Sequence, residues 1–129
     1  MRNDNLRQMF GVSRDQIEAD NKIYSRELFE QTMLFAKEAK SKEDFEAVRE
    51  QLEEAAKLGN NEAQFELAEF LWKGEHLLYD KKISQYLAVF WYNKAANSTD
   101  DDLAHEAIMG IDEAACAGLD FKFFDEPLY

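Results

Sequence analysis

Glu62, Glu66, Glu69 and Lys73 follow one another at steps of four, three and four residues. On a helix that spacing lines one face. A row of carboxylates there can hold the cationic side chains of another protein, gaining on-rate and selectivity from screened charge pairs. Forty residues later Asp102, Glu106, Met109 and Glu113 repeat the same steps. These eight residues form the candidate partner-binding surface.

The other residues capable of chemistry do not assemble into a site. His76 stands beside Glu75 and His105 in a helical stretch, and neither falls in a metal-ligand or acid–base pattern. Asp100-Asp101-Asp102 lacks the spaced oxygen ligands, the bend glycine and the later glutamate of a calcium loop. Acids at a helix start account for the run through the helix dipole. Cys116, within EAACAGL, reads as a small buried residue. There is no phosphate loop, dinucleotide fingerprint or serine elbow. The expectation is a non-enzymatic protein with no catalytic residue, no metal and no cofactor.

Charge narrows the choice of partner. The net charge is −12, and residues 43–69 and 100–129 carry net −7 and −8, leaving the rest slightly basic. Such a chain repels nucleic acid and anionic lipid and steers a basic protein partner. One cysteine cannot form an internal disulfide, which suits a reducing cytosol. Met1 is followed by polar RNDNLRQ, and no apolar run approaches the ~20 residues of a membrane span. A cytoplasmic protein without a signal peptide is expected.

The elements that must position these residues are helices. The 129 residues suit one domain. One proline and five glycines favour long helices over the many turns of a sandwich or barrel. Residues 1–12 read as a flexible N-terminus. Ser13 with Gln16 opens a helix running to Lys40, its apolar face carrying Ile17, Tyr24, Leu28, Phe35 and Ala39. A break near Asp20-Asn21 leaves open whether this is one helix or two. Ser41 with Asp44 caps the next helix, which presents Phe45, Val48, Leu52, Ala55 and Ala56 on one side and Glu46, Glu50, Glu53 and Glu54 on the other. Gly59 ends it. Asn61 then caps a helix to about Trp72, and Gly74 stops that one. Residues 75–84 read as a long loop, followed by a helix from about Gln85 to Ala96. Asp101 or Asp102 begins the last helix, to about Ala117, with Gly118 as its cap. Residues 119–129 form an aromatic tail expected to dock on the helical domain of residues 13–118.

A forty-residue echo orders these helices. Ala55-Ala56 recurs as Ala95-Ala96, and Ala63, Leu67, Ala68 and Leu71 recur at the same offset as Leu103, Ala107, Ile108 and Ile111. A fixed period with small residues at set places is the mark of stacked helical hairpins. These apolar positions are expected to be core.

GNNEAQFELAEFLWKG followed by FWYNKAAN resembles the Sel-one-like repeat, a relative of the tetratricopeptide repeat. Gly59, Ala63, Leu67, Gly74, Asp80, Trp91, Tyr92, Lys94, Ala95 and Ala96 match its pattern. Ala68 stands where glycine is usual, Leu71 stands for an aromatic, and the loop from Gly74 to Ala88 is about four residues longer than the family norm. The likeness covers roughly residues 41–118, with half repeats flanking one full repeat. It implies an all-α fold, a short right-handed α-solenoid of about five or six antiparallel helices. It also implies a concave surface lined by the first helix of each hairpin, which would set the two acidic rows side by side.

Together these features point to a protein–protein interaction module. Small size and strong acidity resemble a dedicated inhibitor, such as an immunity protein that neutralises a basic bacterial toxin. The alternative is a general adaptor or scaffold, with a homodimer formed through the open helical end and the aromatic tail.

Overall fold

The computed structural model describes residues 14–74 and 80–118. Ser13, His76, the N-terminal residues 1–12 and the aromatic tail lie outside them. Five helices follow one another: α1 Arg14–Glu38, α2 Lys42–Lys57, α3 Asn61–Lys73, α4 Lys81–Ala95 and α5 Asp101–Cys116. No strand occurs among the described residues, so the fold is all-α.

Local chemistry sets the boundaries. The Asp44 N–H donates to Ser41 Oγ (3.1 Å), and the Ser41 N–H donates back to Asp44 Oδ2 (3.3 Å), a reciprocal capping box. The backbone N–H groups of Lys40 and Ser41 on Asp44 hold its carboxyl below the usual carboxylate range. Three helices start on an oxygen that accepts first-turn N–H groups: Asn60 from Ala63 (2.8 Å), Asp80 from Lys82 (3.2 Å), and Asp100 from Asp102 and Leu103 (3.0 and 3.3 Å). The Asp100–Asp102 run therefore serves the start of α5. Gly59, Gly74 and Gly118 all take positive φ just past a helix.

Three expectations are corrected and one open alternative is settled. The cap of α3 is Asn60, not Asn61; Asn61 is already helical, and its side-chain N–H donates to Gln64 Oε1 (2.8 Å). The first helix does not break at Asp20-Asn21, because both face solvent and Asp20 accepts from Gln16 one turn earlier (2.9 Å), which supports the helix. Tyr24 is not on an apolar face: it is 48% exposed and its hydroxyl donates to Glu54 of α2 (2.7 Å). The fourth helix begins four residues earlier than the periodicity suggested. Lys81, Lys82 and Ile83 are exposed and carry no apolar pattern, while buried Ser84 donates its hydroxyl to the Leu71 carbonyl near the end of α3. That bond satisfies a buried polar group on both sides of the helix pair.

Consecutive helices pack against each other, most closely α3 on α4, and α3 also touches α5. The core runs from Val48, Leu52, Ala55 and Ala56 through Ala63, Leu67, Ala68 and Leu71 to Leu87, Ala88, Trp91, Tyr92, Ala95 and Ala107. Fully buried alanines let backbones approach, and each large side chain sequestered between them contributes roughly 1.5–3 kcal/mol. Two members of the apolar echo depart from expectation: Leu103 is only partly buried, at the edge of a cleft, and outside the core. Ala68 is buried, but its counterpart Ile108 is 47% exposed, because no described helix covers that side of α5.

One tight contact lies between α4 and α5. A Cβ added at Gly110 would stand 2.6 Å from the ring of Tyr92, so the ring rests directly on the α5 backbone. Gly110→Ala should therefore lower unfolding free energy by about 1–2 kcal/mol, since overpacking a tight contact outweighs the ~1 kcal/mol that alanine returns in helix propensity. A urea titration with an unchanged midpoint would show that the ring has room to move.

Candidate partner-binding groove

The touching of α3 and α5 creates the site. Phe65 and Glu69 from α3 face Glu106, Met109, Gly110 and Glu113 from α5 around a cavity of about 450 Å³. Four of the eight sequence-predicted residues, Glu69, Glu106, Met109 and Glu113, meet there. Glu66 is half-buried two turns before Lys73 and lies within electrostatic reach of Glu62, Glu69, Lys73 and Glu106. The α3 row is thus joined to the groove through Glu66. Glu62 also lines a second cleft, of about 520 Å³, where the starts of α3 and α5 meet the first half of α1. Asp102 is exposed in the first turn of α5, outside the residues that line the groove, with its N–H held by Asp100.

One residue on α4, Tyr92, supports three of the lining residues, Phe65, Glu69 and Gly110. The Tyr92 hydroxyl donates to Glu69 Oε2, and its ring stands edge-on to Phe65 with centroids 5.9 Å apart. Burial pushes the Tyr92 phenol upward first, and the hydrogen bond to Glu69 pushes it the same way, so the phenol stays a neutral donor. Burial also pushes the Glu66 carboxyl above its usual range; Glu69 adds to this, Lys73 opposes it, and Glu106 and Glu62 add again.

These carboxylates differ from the acidic side of α2. There Arg49 bridges Glu46 (3.0 Å) and Glu53 (3.1 Å). Glu62, Glu66, Glu106 and Glu113 make no ion pair among the described residues. The groove combines open carboxylates with apolar surface from Phe65 and from Met109, which is 56% exposed. That combination fits a lysine or arginine, whose charged head would meet carboxylates while its aliphatic stem lies on Met109 and Phe65.

The residues missed in the sequence were Phe65, Tyr92 as a support for Glu69, and Gly110. An isolated glycine inside a helical pattern is the signal that could have exposed the last, since it marks a close approach. Cys116 is corrected too: it is exposed at the end of α5, on the side away from buried Ala107 and Ala114. His105 is exposed on the same helix. Among the described residues no group of three or more His, Cys, Asp or Glu could hold a metal ion, and no helix is long and apolar enough to cross a membrane. No protein-family model matches the chain, and neither does any curated protein or solved structure.

The raised Glu66 carboxyl has a definite sign for stability. A carboxyl whose affinity for protons is higher folded than unfolded favours the folded state at acid pH, and that contribution is lost as pH rises through its folded pKa. Glu66→Gln should therefore raise the melting temperature at pH 7, with the advantage shrinking as the buffer is taken into the acid range where the wild-type carboxyl is protonated. A gain that is constant with pH, or absent at pH 7, would contradict the assignment.

Proposed function

We propose that the chain is a non-enzymatic protein-binding module whose α3–α5 groove receives a basic segment of another protein. In this reading the helices form a short right-handed solenoid of the Sel-one-like or tetratricopeptide-like kind. The forty-residue offset makes α3 and α5 equivalent first helices of successive hairpins, and their contact supports that arrangement. The observation that carries the function is a groove whose Glu106 and Glu113 make no ion pair among the described residues and stand beside apolar Phe65 and Met109, on a chain of net charge −12. The most specific form is a cytoplasmic acidic inhibitor, of immunity type, that neutralises a basic protein such as a bacterial toxin. The acidic field speeds encounter, and the groove residues then hold the complex.

A general adaptor or homodimer is the second reading, favoured by the exposure of Ile108 and Met109 on α5. The test begins with capture of the partner from the native cell by the full chain and its identification by mass spectrometry. Association with that partner is then timed for the wild type and for Glu62→Lys/Glu106→Lys/Glu113→Lys, three exposed positions. The reversal should slow association by about tenfold or more at low salt, and rising salt should slow the wild type toward the variant. An acidic partner, or equal rates for both proteins, would remove the groove from consideration.

A further inference from the structure

The groove does not stop at Glu69 and Glu106. It continues into the cleft of about 520 Å³ that lies where the starts of α3 and α5 meet α1. On α3, Glu62 lines the cleft and Phe65, three residues on, lines the groove. On α5, Leu103 and Glu106 stand in the same relation. Three residues are less than one helical turn, so the two openings form one trough along α3 and α5.

Charge changes along that trough. Among the described residues no cation lines the groove. α1 brings two to the cleft, Lys22 and Arg26, four residues apart and therefore on one face of the helix. Both stand exposed, and neither makes an ion pair among the described residues. Three carboxylates share the cleft with them. Asp100 is already engaged, accepting the N–H groups of Asp102 and Leu103. Glu62 is the head of the acidic α3 row, and Glu18 stands one turn before Lys22 on α1. The cleft thus sets a cationic wall on α1 beside the acidic row on α3. A uniformly basic segment would be attracted by the groove and repelled by this wall.

We propose that the segment received by the trough is bipolar: cationic side chains lie against Glu69, Glu106 and Glu113, and a carboxylate further along the segment meets Lys22 and Arg26. The seven residues from Glu69 back to Glu62 set the separation of the two charges at about 10 Å. An extended chain covers that distance in about three residues. The inference rests on the groove reading and adds to it the second charge and its place. In this arrangement α1 supplies selectivity. The acidic groove alone would accept any polycation, and Lys22 and Arg26 set a like-charge clash against one that lacks the carboxylate.

Three terminally blocked peptides carrying a neutral dye serve as probes: Lys-Lys-Ala-Ala-Glu-Glu, Lys-Lys-Ala-Ala-Ala-Ala and Lys-Lys-Ala-Ala-Lys-Lys. Their binding to the full chain is read by fluorescence anisotropy at low salt, where charge pairs are least screened. Lys22→Gln/Arg26→Gln should weaken the Glu-ended peptide by about fivefold, leave the Ala-ended one within about twofold, and tighten the Lys-ended one. Lys37→Gln/Lys40→Gln removes the same charge at exposed positions outside the cleft and should not reproduce that pattern. A cleft variant that behaves like the Lys37/Lys40 variant, or that shifts all three peptides in one direction, would overturn the inference. The groove reading survives that result if Glu106→Lys/Glu113→Lys still weakens the Ala-ended peptide. If that reversal changes no peptide's affinity, the groove falls and the inference falls with it.

Discussion

Tyr92 touches three helices at once. It rises from α4, rests its ring on the α5 backbone at Gly110, stands edge-on to Phe65 of α3 and donates its hydroxyl to Glu69 of α3. The space it needs explains why α5 has a glycine in its middle, where helix propensity alone would disfavour one. The bond it makes explains why Glu69 is held in place although it belongs to an acidic surface row. Tyr92 thus supports α3 and α5 from one point on α4. The alanine-rich contacts of α3 with α4 bring the backbones close, and Tyr92 converts that closeness into a defined spacing between the two acidic rows.

The groove is costly to the folded chain. Glu66 is partly desolvated and surrounded by Glu62, Glu69 and Glu106, with Lys73 alone opposing them. Like charges gathered on one side destabilise a compact state, and nothing in the packing of α3 or α5 requires them. On α2 comparable acids are neutralised internally by Arg49. In the proposed reading, stability and ligand readiness pull in opposite directions at the groove, as they commonly do at binding sites. A cation brought by a partner would relieve the repulsion that the free protein carries.

Much of this architecture was legible in the residue order. The capping box at Ser41, the stop at Gly59 and the buried Ala-Leu positions of α3 and α4 follow from local rules that the structure obeys. The start of α4 was hidden because Lys81, Lys82 and Ile83 face solvent, and periodicity cannot register residues that make no burial choice. Tyr24 looked apolar by position, but it stands exposed and its hydroxyl donates to Glu54 of α2 instead. Ile108 repeated Ala68 in sequence and not in environment, since a repeat pattern does not announce which copy ends the described stack. The acidic rows were visible as spacing. The Tyr92–Gly110 contact beneath them joins positions eighteen residues apart, and its one local trace is an isolated glycine inside a helical pattern.

The central claim is that the α3–α5 groove is where a basic partner sits. Carbodiimide labelling of carboxylates, read residue by residue by mass spectrometry in the free protein and in the complex, tests it most directly. The account predicts protection of Glu66, Glu106 and Glu113 on binding, with Glu43 and Glu50 on α2 labelled as before. Protection on α2 with the groove carboxylates still reactive would contradict it.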